Sequence, residues 1–235
     1  NEDPEASALL ESLGPLESEL RQFELDNLML VHSRGYDVPC NVKLLLDVFL
    51  EVYHLKSIHQ NTADRFLDHR GMTVTLWPNG HSRMVTPNRR PDWIDPGTRG
   101  MPEIASVTEM PRANNVSYNI FPNIVMPPTA TGIPMLVFWP RTANSMRIEC
   151  HWFGPKLPAE DLSALWEVRI RNFESAGRTT NASNASSRVN GSRLRAGGWR
   201  AVAVTSAVPT RSIALVHRAG ASAGRRRPSE ATVEV

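Results

Sequence analysis

The stretch NVKLLLDVFLEVYHLKSIH (residues 41–59) decides how the rest of the chain is read. Val42, Leu44, Leu45, Leu46, Val48, Phe49, Leu50, Val52 and Tyr53 go most of the way round a helix, which predicts a buried one. Set into it are Lys43, Asp47, Glu51 and His54, at i, i+4, i+8 and i+11, which form one polar stripe at 100° per residue. A solvent-facing stripe with a Lys43–Asp47 pair, worth roughly 0.2–0.5 kcal/mol, accounts for those four. It does not account for His59. That residue follows His54 by five positions, about 140° round an ideal helix. The two imidazoles share a ligand only if the helix ends between them or carries a π-bulge there. Taken alone, a His-x4-His pair is a weak metal signal.

Working outward, residues 1–30 suggest short amphipathic helical pieces, with Leu20 and Phe23 packed inward from ESELRQF. LMLVHS reads as a short strand, MTVTLW and HSRMV as two more, and NRRPDWIDPGTRGMPE as a surface loop rich in Pro and Gly. VSYNIF, IPMLVFW and SMRIECHWF are further strands, the last two separated by PRTAN as in an antiparallel hairpin. LPAEDLSALWEVRIRNFE opens a closing helix. Pro158 suits its first turn, Glu160 and Asp161 its positive end, and Leu162, Leu165, Trp166 and Phe173 its apolar face. The fold class expected is α+β: an antiparallel sheet with a buried helix against it and a helix at the end.

At Ser175 the character changes. Of the last 61 residues, 44 are Ala, Arg, Gly, Ser, Thr or Pro. Ten arginines against Glu230 and Glu234 give residues 175–235 a charge of +8, and residues 1–174 carry 16 basic and 22 acidic groups. The net +2 therefore describes neither part, and the basic pI is no argument for a nucleic-acid partner. A basic disordered tail is one reading of this segment. A GC-rich gene read out of frame is the preferred one, because the break is abrupt and falls inside a helix without a stop signal. The sequons at Asn181, Asn184 and Asn190 are read as chance, and the run Arg225, Arg226, Arg227 is of a kind that binds nucleic acid but lies in this suspect segment. The acidic start, NEDPEAS, is no secretory signal and reads as the cut edge of a longer chain. No apolar run reaches about 18 residues, so no membrane span is expected. Cys40 and Cys150 make no disulfide framework and fit a reducing cytoplasm.

The stretch at 41–59, followed in order by WPNGHSRMV, YNIFPNIVM and HWFGP, resembles the catalytic domain of Rieske non-haem iron oxygenases. More narrowly, it is similar to the large (alpha) subunit of aromatic-ring-hydroxylating dioxygenases over roughly residues 15–174. The resemblance implies a helix-grip-like sheet whose buried helix carries the iron ligands, closed by a truncated C-terminal helix. It implies His54 and His59 as ligands of a mononuclear Fe(II). Glu51 would be the carboxylate that links this iron to the Rieske cluster of a neighbouring subunit, and Asp47 a polar residue near the iron. Asn41-Val42-Lys43 stands where the family usually has Asn-Trp-Lys. Two imidazoles and one carboxylate on one face of ferrous iron leave open positions where dioxygen and substrate meet. A carboxylate at Glu51 can lock the tautomer of a liganding imidazole.

Two departures from the family stand out. A 2Fe-2S Rieske cluster needs paired Cys and His motifs, which residues 1–235 lack, so that domain would precede residue 1. The family's third ligand is an Asp on the C-terminal helix, and SAGRTTNASN offers no carboxylate there. The division implied is 1–40, a connector plus first elements; 41–174, a partial iron catalytic domain; and 175–235, the low-complexity basic tail. The intact enzyme would act on an aromatic or other apolar substrate as a dioxygenase or monooxygenase. A ferredoxin or reductase would supply electrons to a homotrimer or alpha-beta hexamer, with no membrane or nucleic-acid partner. The chain as written is expected to be inactive or nearly so. A non-catalytic helix-grip ligand-binding domain is the alternative, and a zinc hydrolase using His54 and His59 a third reading, which lacks HExxH. His81 is read as structural, His69 and His151 as ordinary surface or strand residues, and Trp139, Trp152 and Phe153 as core.

Overall fold

The computed structural model describes residues 6–90, 92–156, 163–179 and 231–234. Pro158, Glu160, Asp161 and Leu162 lie outside the described residues, as does most of the basic tail. The strands are β1 (Leu28–Val38), β2 (Thr73–Leu76), β3 (Ser82–Pro87), β4 (Asn114–Ile120), β5 (Ile124–Met126), β6 (Ile133–Thr142), β7 (Ser145–Pro155) and β8 (Ala231–Glu234). They form one sheet in the order β1-β7-β6-β5-β4-β3-β2-β8, antiparallel at every junction. The helices are α1 (Leu9–Leu13), α2 (Pro15–Leu20), α3 (Val42–Val48), α4 (Leu55–Ile58), α5 (Glu109–Ala113) and α6 (Ser163–Thr179). The class is the α+β one expected. None of the described helices is long and apolar enough to cross a membrane.

The hairpin of β6 and β7 is the clearest case of sequence dictating structure. Met146, Ile148, Cys150 and Trp152 are buried at every second position of β7, the period that puts alternate side chains on one face. The strand beginning at LMLVHS runs on to Val38, because β1 pairs along all of β7, from Leu28 opposite Pro155 to Val38 opposite Met146. Strand parity also corrects one expectation. Phe138 is fully buried, so Trp139 faces the other way: it is 49% exposed, and its Nε1 donates to Glu149 Oε2 at 3.1 Å. Trp152 is core, as read, and Phe153 is partly buried.

Three apolar clusters hold the elements together. The largest gathers Tyr36, Val38, Leu136, Phe138, Ile148, Trp152 and Trp166. Each large side chain taken from water there contributes roughly 1.5–3 kcal/mol. The second joins Leu16, Leu20 and Phe23 to Tyr118 and Ile133. A polar knot beside it fastens the N-terminal helices to the sheet. Glu19 accepts from Tyr118 Oη at 2.9 Å and also pairs with Arg83, whose Nη2 donates to Thr75 Oγ1 at 3.0 Å. The third cluster, Val52, Leu55, Leu67, Met72 and Met84, lies under α4.

Helix α6 runs through the composition change at Ser175 and is seated by three contacts. The Trp166 ring lies on the backbone of Gly132 and Gly154, where an added Cβ would come within 2.7 and 2.2 Å of it. Arg169, 6% exposed, donates to Asp95 Oδ2 at 2.6 Å. Its burial pulls the guanidinium below its usual range, and Asp95 opposes that shift. Phe173 meets Trp152 edge-on, with ring centroids 4.8 Å apart.

Candidate metal centre

The stretch at 41–59 is two helices, not one. Asn41 starts α3: its side chain accepts from Lys43 N at 2.9 Å, and its Nδ2 donates to the Ala143 carbonyl at 2.6 Å, tying the helix to the β6–β7 turn. The helix stops at Val48, and α4 is a single turn with His54 at its start and His59 at its end. The reading of one continuous buried helix is thereby corrected. None of the residues of α3 is fully buried, and Leu44 is 42% exposed. The break comes before His54 rather than between the histidines.

The cause is a divided core. Val42, Leu45, Leu46 and Phe49 pack on the largest cluster, whereas Val52 and Leu55 belong to the third. Glu51 closes the corner. One carboxylate oxygen accepts from the backbone N–H groups of Tyr53 and His54, the second of these at 3.2 Å. Donors at the start of a helix turn have no partner within it, and an acidic side chain suits them.

The other oxygen, Glu51 Oε1, lies 2.5 Å from His54 Nδ1. His54 is only 8% exposed, so the expected solvent-facing stripe ends before it. A carboxylate accepts only, so Nδ1 of His54 carries the hydrogen of this contact. The His54 and His59 rings meet edge-on with centroids 5.2 Å apart. Residues five apart, which a regular helix would separate, are brought together by the turn of α4. Burial, and then the nearby His54, push His59 down to about 4, so its ring is neutral at pH 7. Asp47 lies on α3, four residues before Glu51. Partial burial, then the charge of Glu51, hold its carboxyl above the usual range, with Lys43 opposing.

The donor chemistry suits a ferrous ion in part: two adjacent imidazoles, each with Nδ1 engaged, are donors such a metal takes. Among the described residues no group of three or more His, Cys, Asp or Glu is placed to hold a metal ion. Reading the sequence missed Thr62, whose Oγ1 lies 3.2 Å from His59 Nδ1; the His-x-x-Thr spacing was the only sign of it. His81 is structural. Its Nε2 reaches the Ser12 carbonyl at 3.0 Å and its Nδ1 accepts from Phe121 N at 3.1 Å. His151 pairs with Ser33 Oγ at 2.9 Å, and His69 stands 3.3 Å from Asp64.

An antiparallel sheet thus packs against helices, with His54, His59 and Glu51 drawn together where the stretch at 41–59 breaks. The ring hydroxylating alpha subunit (catalytic domain) family matches residues 25–185, and the chain belongs to that family. Among solved structures it is similar to naphthalene 1,2-dioxygenase from Rhodococcus sp. bound to indole, at 18% identity and TM-score 0.55 over 73% of this chain and 45% of that one. It is also similar to the quaternary ammonium Rieske monooxygenase CntA in complex with its substrate L-carnitine, at 16% identity and TM-score 0.53 over 79% of this chain and 46% of that one. At these identities the likeness is one of fold. The chain spans about half the length of these relatives. No curated protein matches it.

Proposed function

We propose that this chain is part of the oxygenase component of a Rieske-type enzyme, in which His54 and His59 hold a mononuclear ferrous ion through Nε2. The observation that carries this reading is the edge-on approach of the two rings at 5.2 Å, with Nδ1 of His54 tied to Glu51. When bound, the ion would supply open positions at which dioxygen meets the substrate. The protein's own part is to hold the donors ready. Glu51 fixes the tautomer of His54 and anchors the corner that carries it. Burial keeps His59 unprotonated, and Asp47 adds a polar group on α3.

The substrate class proposed is aromatic or otherwise apolar, hydroxylated by dioxygenase or monooxygenase chemistry. Electrons would come from a ferredoxin or reductase through a 2Fe-2S Rieske cluster held outside residues 1–235. The carboxylate of Glu51 would stand between that cluster and the iron. The intact assembly proposed is a homotrimer or alpha-beta hexamer, and the two buried free cysteines suit a cytoplasmic setting. By itself the chain is proposed not to turn over, since SAGRTTNASN, where the family's third ligand would fall, carries no carboxylate.

Anaerobic titration of the purified chain with Fe(II), followed by metal analysis, tests this. One weakly held iron per chain is expected, with affinity at least about tenfold lower in His54→Ala and in His59→Ala, each having lost a ligand. His151→Ala, on β7, should bind like the parent. Equal affinity in all four proteins would refute the assignment, and so would tight binding of zinc with exclusion of iron.

A further inference from the structure

The segment that carries the two histidines also borders an open cavity of about 640 Å³. Lys56 of α4 lines it, and so does Gln60, the residue after His59. The wall continues through Asp64, in the 3-10 turn Ala63–Arg65, to Asp68 and Arg70 ahead of β2 and to Arg89 beyond β3. Backbone bonds fix these segments against one another. Asp68 N donates to the Pro87 carbonyl and Arg89 N to the Phe66 carbonyl, both at 2.7 Å. The cavity has the size of a small-molecule site. Every side chain lining it is polar or charged, so it suits a charged ligand and not an apolar one.

The two carboxylates of the cavity are already engaged. Asp64 Oδ1 lies 3.3 Å from Arg89 Nη2 and 3.3 Å from His69 Nδ1, and Asp68 Oδ1 accepts from Arg70 N at 3.1 Å. Arg89 is tied down further, since its Nε donates to the Leu67 carbonyl at 2.9 Å. The side chains of Lys56, Gln60 and Arg70 differ: among the described residues none of the three meets an acceptor. Lys56, Arg70 and Arg89 outnumber Asp64 and Asp68, which leaves one positive charge in excess, and it falls on the groups without partners. A concave wall with an excess of one sign draws in counter-ions. The guanidinium fork matches the oxygens of a carboxylate or a phosphate. We propose that this cavity binds a small doubly charged oxyanion, of the phosphate or dicarboxylate kind, held by Lys56 and Arg70 with the amide of Gln60 as a neutral donor. Two charges on the ligand answer the two cations that have no carboxylate of their own. The inference is independent of any metal at His54 and His59.

Titration of the 15N-labelled full chain with inorganic phosphate, and separately with succinate, tests this. Sodium chloride at matched ionic strength gives the baseline. Saturable amide shifts confined to the segments that line the cavity are expected in at least one series. Saturation by phosphate alone assigns the site to phosphoryl groups, and saturation by succinate alone to dicarboxylates. Arg70→Gln and Lys56→Gln should each weaken binding about threefold to tenfold, the loss of one charge-assisted bond at a site open to solvent. Arg141→Gln, on β6, should bind like the parent. Asp68→Asn keeps the oxygen that accepts from Arg70 N and drops a repelling charge, so it should bind more tightly. The same spectra report that each variant is folded. Shifts no different from those in chloride overturn the proposal. Equal affinity in Arg70→Gln, Lys56→Gln and Arg141→Gln overturns it too, as does the absence of any gain in Asp68→Asn.

Discussion

The indole of Trp166 rests on Gly154 so closely that a Cβ on the glycine would stand 2.2 Å from the ring. Gly132 is the second half of this seat, and an added Cβ there would also meet the Phe153 carbonyl at 2.6 Å. Backbone and ring are both rigid, so neither gives way cheaply. Gly154→Ala should therefore cost about 2–3 kcal/mol, the upper part of the range for forced overpacking. Urea unfolding gives the value. Combined with Trp166→Leu, the alanine should cost far less than in the parent, because the clash disappears with the ring. Strict additivity of the two changes would mean that α6 is seated by something else.

Tyr118 has no exposed surface, and its hydroxyl donates to a glutamate that also pairs with an arginine. Burial, then the charge of Glu19, raise the phenol far above its usual range. It therefore stays a donor throughout any pH at which the protein is folded. Tyr118→Phe removes a hydrogen bond to a charged acceptor, and about 1.5–3 kcal/mol of stability should go with it. The cost should shrink in a Glu19→Gln background. A loss as large in that background as in the parent would show that packing of the ring, not its hydroxyl, matters.

The third prediction concerns acid. His59 in the folded chain titrates near 4, against 6.5 for the ordinary side chain. Between those values the unfolded chain binds a proton there that the folded chain refuses. Stability therefore rises with pH across that window. The contribution is fully present above about pH 6.5 and drains away as the pH falls toward 4. Urea midpoints of the metal-free chain at about pH 5 and pH 7.5 should differ less in His59→Asn than in the parent. The same difference in both proteins would remove His59 from the account.

Much of the fold could be read before any coordinates. The β6–β7 hairpin showed itself because alternation and a turn coincide, and Leu20, Phe23, Trp166 and Phe173 were placed correctly because their spacing is helical. The three-residue β5 is too short to display a period, so it went unread. The break before His54 was hidden for another reason. Neither glycine nor proline marks it, and residues 42, 45, 49, 52 and 55 would share one face of an unbroken helix. What divides them is tertiary: two clusters compete for one stripe, and a carboxylate three residues before His54 is available to cap the new start. At the site, spacing alone was a weak signal, and it was the family resemblance that nominated Glu51, His54 and His59, which the fold draws together. Asp47 stays on α3, on the other side of the break from the turn that carries the histidines. Thr62 was invisible because its contact depends on how the chain turns after His59.

The seat of Trp166 also sets the phase of everything that follows it on α6. A helix clamped by an indole, and again by Arg169 and Phe173, cannot rotate about its axis. At 100° per residue this clamp fixes the bearing of each residue from Trp166 to Phe173, so the helix meets the sheet in one register only.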